Sequence, residues 1–263
     1  MRKVLTTLAA GLLVAAIASC GAKKTSLTMA GSTAFQPFAE KLAEQYMTGH
    51  PGVSITVQGG GSAVGIQSAN SGAAQIGMAD LVQLPAEARD LTATPVARDG
   101  IAVVVNPANK VAGLTMLQIR GIFNGAIRNW KQVGGADAPI TVVSREAGSG
   151  TRTSFEQIVG GIMLSKDALI QDSNGTIRET VANDANAVGY LSHGLLNEKI
   201  KALTVDGKDC TVENITAGTY KLVRPIFLLV KGAASPQIAS FITYILSAEG
   251  QQTIKSNGLI PVK

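Results

Sequence analysis

Apolar and polar positions along this chain change period repeatedly, and each change marks a new element. Leu27-Thr28-Met29-Ala30 opens as a short strand, after which Phe35, Phe38, Leu42 and Tyr46 recur at steps of three and four, with Lys41, Glu44 and Gln45 between them. That spacing predicts an amphipathic helix. Gly49-His50-Pro51-Gly52 stops it, and Val53-Ser54-Ile55-Thr56-Val57 then alternates like a half-buried strand. Three glycines lead into a second helix near Ser62, and Ile76-Gly77-Met78-Ala79 is a short apolar strand ending at Asp80. Further on, Ile140-Thr141-Val142-Val143 is β-branched, while Phe155, Ile158, Val159, Ile162 and Met163 predict a helix reaching Met163. Residues 238–246 predict a closing helix, with Ser247-Ala248-Glu249-Gly250 as cap and restart. Strand and helix alternate throughout, which predicts an α/β fold with mixed, mostly parallel sheets and helices on both faces.

Two apolar runs break the alternation. Ile101-Ala102-Val103-Val104-Val105 and Ile226-Phe227-Leu228-Leu229-Val230 read as strands buried on both faces, and they bracket the middle of the chain. As crossings between two lobes they divide the chain into a first lobe, residues 27–103 and 225–263, and a second, residues 104–224. The alternative is a single sheet with both runs at its centre.

The start of the chain has a different character. Arg2 and Lys3 precede an apolar stretch, residues 5–18, of 14 residues with no acidic residue, so residues 1–19 read as an export signal. A stretch of that length falls short of the ~20 residues that span a bilayer as a helix. Ile17-Ala18-Ser19-Cys20-Gly21 resembles a bacterial lipobox, which makes Cys20 a lipidated mature N-terminus and residues 20–26 its tether. Only Cys210 then remains, so the exported body has no disulfide framework and relies on its core.

Charge narrows the function classes. The formal charge of +5 falls to +3 without Arg2 and Lys3, since 21 basic residues then face 18 acidic ones. The basic residues form no run and no aromatic-interleaved stripe, which excludes a dedicated nucleic-acid surface. His50 and His193 have no metal-ligand spacing, and neither a Gly-x-Ser-x-Gly elbow nor a phosphate-loop lysine occurs, so the residues support no metal, no cofactor and no catalytic group.

Candidate chemistry gathers instead at strand ends. Arg145 stands before Gly148-Ser149-Gly150-Thr151, where a strand hands over to a helix. The first N–H groups of a helix lack intrahelical partners and carry the positive end of its dipole, so they can hold an anion. The Arg145 guanidinium adds a planar fork suited to phosphate-like oxygens. Gly31-Ser32-Thr33-Ala34 and Gly59-Gly60-Gly61-Ser62 repeat the arrangement, each alone an ordinary cap. In open α/β sheets the ends of parallel strands face one crevice, where such donors converge. Asp80 looks out of place beside an anion unless the ligand carries a proton that an ionised carboxylate accepts. A P–OH satisfies that condition and sulfate does not. As a bland alternative, Asp80 caps a helix.

Taken together these residues resemble the phosphate-binding lipoproteins of bacterial ABC phosphate importers, within the type 2 periplasmic binding proteins. The resemblance covers nearly the whole mature chain. Asp99-Gly100-Ile101-Ala102-Val103-Val104-Val105-Asn106-Pro107 is similar to the family's lobe-crossing strand, and Asn186-Ala187-Val188-Gly189-Tyr190 to its "AIGY" element. The segment from Ile122-Phe123-Asn124-Gly125 through Trp130 to Val133-Gly134-Gly135 is similar to its "IFxGxIxxWxxVGG" signature. The resemblance implies a two-lobed fold with the ligand in the interlobe cleft. It implies phosphate contacts from Ser32, Thr33, the Ala34 N–H, Ser62, Asp80, Arg145, Ser149, Gly150 and Thr151. Two positions depart from patterns found in the family: Ala79 replaces a serine, and Ala147 replaces an acidic residue that orients the arginine, a task left to Glu146.

The expectation is a non-enzymatic protein that captures inorganic phosphate for a membrane permease and ATPase. It would be exported and lipid-anchored to a bacterial membrane, facing the periplasm or cell exterior. Rival readings are a binder of sulfate, molybdate or tungstate, a phosphatase with a serine nucleophile, and a tethered sensor.

Overall fold

A computed structural model of the protein describes residues 24–262. The signal segment 1–19, Cys20 and the first part of the tether lie outside the described residues. In chain order the first lobe begins with β1 (Thr25–Gly31), α1 (Gln36–Gly49), β2 (Val53–Gln58), α2 (Ser62–Ser71), β3 (Ile76–Ala79) and the long β4 (Leu91–Val105). There follow β5 (Gly113–Leu114), α3 (Met116–Phe123), β6 (Thr141–Arg145), α4 (Gly150–Val159), β7 (Leu169–Gln171), α5 (Asn174–Asn183), β8 (Ala187–Ser192), β9 (Lys201–Ala202), β10 (Thr204–Val205) and α6 (Val212–Thr216). The chain returns through β11 (Val223–Lys231) and closes with α7 (Pro236–Ile245), α8 (Ala248–Ser256) and β12 (Ile260–Pro261).

The main strand order is β2-β1-β3-β11-β4-β8-β6-β7. Its flanks are parallel, as strand-helix-strand crossovers require: β1 pairs with β2 and β3, and β6 with β7 and β8. At the centre β11 runs antiparallel to β3 and β4, and β4 antiparallel to β8. The sheet is therefore mixed, with its antiparallel strands where the chain passes between lobes. β1 starts at Thr25, ahead of the expected Leu27, because Thr25 and Ser26 already pair with Val53 and Ser54.

Two separate cores hold the lobes. In the first, Phe35, Phe38, Leu42 and Tyr46 present the apolar face of α1 to Leu27, Met29, Ile226 and Leu228, with Phe241 and Ile254 of α7 and α8 beside them. A smaller cluster built on Ile66, Ala69 and Leu229 fills the opposite face of this sheet under α2. The second core gathers residues 101–105 with Trp130, Phe155, Val188 and Tyr190. The crossing falls earlier on β4 than expected: Val96 and Ala97 belong to the first core and Ile101 already to the second. Residues 101–105 thus lie within the second lobe, not between lobes, and residues 226–230 within the first. A crossing has no core of its own, and the fully buried pair Asp99 and Arg224 occupies it.

One helix is shorter than its periodicity suggests. α4 stops at Val159, since Gly160 (φ 70°) and Gly161 (φ 64°) turn the chain left-handed. Ile162 and Met163 therefore lie outside it, and Met163 is exposed.

Candidate functional site

Three strand-to-helix turns and one strand end meet where the lobes touch. At the first turn the Gly31 backbone (φ 134°) runs against the Met78 carbonyl, leaving no room for a side chain. Ser32 follows, fully buried, and its Oγ accepts the Phe35 N–H at 3.1 Å. The N–H groups of Thr33 and Ala34 make no hydrogen bond within the described residues. Thr33 Oγ1 accepts from Asn174 Nδ2, across the cleft at the start of α5, at 3.0 Å.

The second turn leans on both lobes. Gly61 donates to the Gly31 carbonyl at 2.9 Å, and the next residue but one, Ala63, donates to the Gly148 carbonyl of the other lobe at 3.1 Å. Between them Ser62 opens α2. Its hydroxyl donates to Asp80 Oδ1 at 2.7 Å and accepts the Asp80 N–H at 3.0 Å. The Ser62 proton is therefore committed to Asp80 in this arrangement, a point at which the geometry differs from a donor aimed at a ligand.

Asp80 stands at the end of β3 and is 2% exposed. It caps no helix. Oδ2 accepts from Thr151 Oγ1 at 3.2 Å and from the Arg224 guanidinium, while the Asp80 carbonyl accepts from Ser154 Oγ at 3.2 Å. An ionised carboxylate offers about four lone-pair positions. The three side-chain donors leave Asp80 room for one further proton.

From the second lobe β6 delivers Arg145, 1% exposed. Nε and Nη2 both donate to the Glu146 carboxylate at 2.8 Å, and Nη2 also reaches the Asp172 carbonyl at 3.3 Å. Glu146 thus fixes the plane of the guanidinium, the task the sequence left to it. Nη1 is buried and has no partner among the described residues. Burying an unsatisfied donor costs on the order of 1–3 kcal/mol, more when charged, so Nη1, like Arg120 Nε, is a donor open to an acceptor from outside the chain. α4 begins beside it: the Ser149 side chain caps the helix by accepting from Arg152 N at 3.2 Å, and Gly150 lies so close to Ser62 Oγ and Asp80 that a side chain there would strike both.

The motifs behind the site brace it. Tyr190 stacks on Phe155 with ring centroids 4.1 Å apart, and its hydroxyl bonds Ser144 Oγ at 2.8 Å and accepts the Arg145 N–H at 3.3 Å. Burial pushes the Tyr190 hydroxyl up to about 12, so it stays a neutral prop. Trp130 is buried and donates to the Asn186 carbonyl at 2.9 Å, which ties the tryptophan segment to β8. Both histidines are engaged elsewhere: His50 stacks on Tyr46 and His193 bonds the Gly258 carbonyl at 2.8 Å. No cluster of metal-ligating side chains occurs among the described residues.

Arg224, Asp99 and Asn174 join the site without having been expected there. The first two carry a usable signal, since each is a charge set at the edge of an apolar strand run. Asn174 carries none, being one polar residue among many at a helix start.

Comparison with known proteins shows the family. Residues 18–249 match the family model described as a PBP superfamily domain. The phosphate-binding protein PstS of Bacillus subtilis is 35% identical over 242 residues, covering 90% of this chain and 81% of that protein. Among solved structures, a putative phosphate ABC transporter substrate-binding protein from Clostridium perfringens with bound phosphate superposes with a TM-score of 0.89 at 40% identity, covering 91% of this chain and all of that one. An ABC-type phosphate transport receptor from Vibrio cholerae gives 0.75 at 38% identity, covering 89% and 99%.

Proposed function

Because the chain belongs to the PBP superfamily, whose matched members here are phosphate-binding proteins, we propose that it captures inorganic phosphate between its lobes for an ABC importer. The observation that carries this reading is the buried Arg145 fork, its Nη1 without a partner among the described residues, in the same lobe as Thr151, which bonds the buried Asp80 carboxylate. Arg145 and the N–H groups of Thr33, Ala34, Gly150 and Thr151 bind oxygens. Ser32 and Ser149, whose Oγ atoms accept backbone N–H groups, can donate their hydroxyl protons to the anion, and Ser62 can turn its proton from Asp80 toward it. Asp80 accepts the phosphate proton. Contacts from both lobes favour the closed form, and exclusion of water strengthens each of them.

The protein is not an enzyme. Its family binds and hands over its ligand, and the serines of the cleft have no histidine beside them to act as a base.

Residues 1–19 direct export, and Cys20 carries the lipid that holds the protein at a membrane. No helix among the described residues is long and apolar enough to cross one. The partners are the permease and ATPase of the importer.

Calorimetric titration of the purified protein, stripped of bound anion, tests the reading. One-to-one binding of phosphate, with sulfate weaker by more than about tenfold, is the expected result. Equal affinity for sulfate would remove Asp80 from the ligand, and silence toward phosphate would overturn the function.

A further inference from the structure

Among the described residues only two arginines are buried, Arg145 and Arg224. Arg224 stands on β11 directly opposite Asp99 on β4, at the crossing between the cores. Its fork divides between two acids. Nε and Nη2 donate to Asp99 Oδ2 at 3.3 and 2.8 Å, while Nη1 pairs with Asp80 Oδ2. One cation serves two carboxylates, each at most 2% exposed.

The other charges nearby are already matched. Arg145, at the end of β6, pairs with its sequence neighbour Glu146, and Arg152 with Glu156 on α4. Behind Asp99 lie Cys210 and Tyr220, whose ionisation burial pushes far up, to about 12 for the thiol, so both are neutral. Arg224 is the one cation paired with Asp80 among the described residues. Of the two acids it serves, Asp99 is held above the ordinary carboxylate range, because burial outweighs its share of the guanidinium. Asp80 accepts from three residues, Ser62, Thr151 and Arg224, where among the described residues Asp99 accepts from Ser192 and Arg224 alone.

A carboxylate out of water and next to a captured anion is driven to take up a proton. Once protonated it would present an O–H donor, which a sulfate oxygen satisfies as well as a phosphate oxygen does. Discrimination requires the ionised form, which accepts from a P–OH and leaves a proton-free ligand unmatched. We propose that Arg224 is the specificity-positioning residue of the site, holding Asp80 as a charged, acceptor-only group by pairing with it from behind. The inference rests on the phosphate reading above.

The test titrates phosphate and sulfate, from about pH 5.5 to about pH 8, against wild type, Arg224→Met, Arg224→Lys and the double variant Asp99→Asn with Arg224→Gln. The double variant removes one positive and one negative charge together and keeps the net buried charge, which guards against loss of folding in Arg224→Met. The ratio of phosphate to sulfate affinity, taken relative to wild type at each pH, should fall by about tenfold or more in Arg224→Met and in the double variant. The fall should deepen toward acid pH, and Arg224→Lys should recover most of it. An unchanged ratio at every pH, or equal pH-independent losses for both anions, would overturn the proposal and leave Arg224 a tie between strands. Failure of the wild type itself to bind phosphate would instead sink the underlying function.

Discussion

Arg145 contributes geometry as much as charge. Two of its three guanidinium nitrogens are committed to Glu146, which fixes the plane and leaves Nη1 as the one free corner. A lysine keeps the charge but has no fork, so it cannot hold Glu146 with two nitrogens and offer a third. Arg145→Lys should therefore weaken phosphate binding by roughly ten- to a hundredfold, about 1.4–3 kcal/mol, with the unfolding midpoint little moved. Calorimetry beside a denaturant melt measures both. The arginine was legible in the sequence because it precedes a small-residue turn, and Glu146 was its available orienter. Ser62 and Thr151 were placed in one site with Asp80 through the family resemblance, but Arg224 was not legible as its partner, since it is 144 residues distant and only folding brings the two together.

At the scale of elements, α2 sits on the sheet through glycine. Gly65 packs against the carbonyls of Met78 and Ala30, and a methyl group there would strike the first and lie 2.9 Å from the second. Gly77 on β3 completes the contact, having no room for a side chain against the Gly65 backbone. Gly65→Ala should push α2 off β1 and β3, cost about 1–3 kcal/mol in urea unfolding, and move Ser62 away from Asp80. Gly49→Ala, with nothing within 4 Å of its added methyl, is the control that should stay near neutral. Local signals such as these turns and amphipathic faces were open to sequence reading: α1 buries the predicted Phe38, Leu42 and Tyr46. The end of α4 was misjudged because apolar spacing continued past Val159 while two adjacent glycines had already turned the backbone. There the conformation of two residues outweighs the pattern of ten.

At the scale of the whole molecule, the two lobes meet along a hydrogen-bonded seam. Contacts between lobes at the cleft include Ala63 to Gly148, Thr33 to Asn174, and Thr151 and Ser154 to Asp80, while His193 bonds the Gly258 carbonyl elsewhere along the seam. Gly61 lies in this seam, where an added methyl would stand 2.8 Å from the Gly148 carbonyl and 3.1 Å from Glu146 Oε1. Gly61→Ala should prop the cleft, raise the phosphate dissociation rate and enlarge the phosphate-saturated form in small-angle scattering. Its positive φ of 86° adds about 1–2 kcal/mol of strain, which a melt without phosphate would register separately. A wild-type dissociation rate would show that the seam does not control closure. The crossing carries a different consequence. Asp99 faces Arg224 and Gly100 faces Val223 in register, so the chain leaves the first lobe and re-enters it at neighbouring points about 5 Å apart. In architectural terms the second lobe is an insertion at the tip of a β-hairpin, and its ends already stand where a short turn could join them. Such an insertion can be exchanged for another without rethreading its host, which makes the half of the cleft that carries Arg145 a replaceable module.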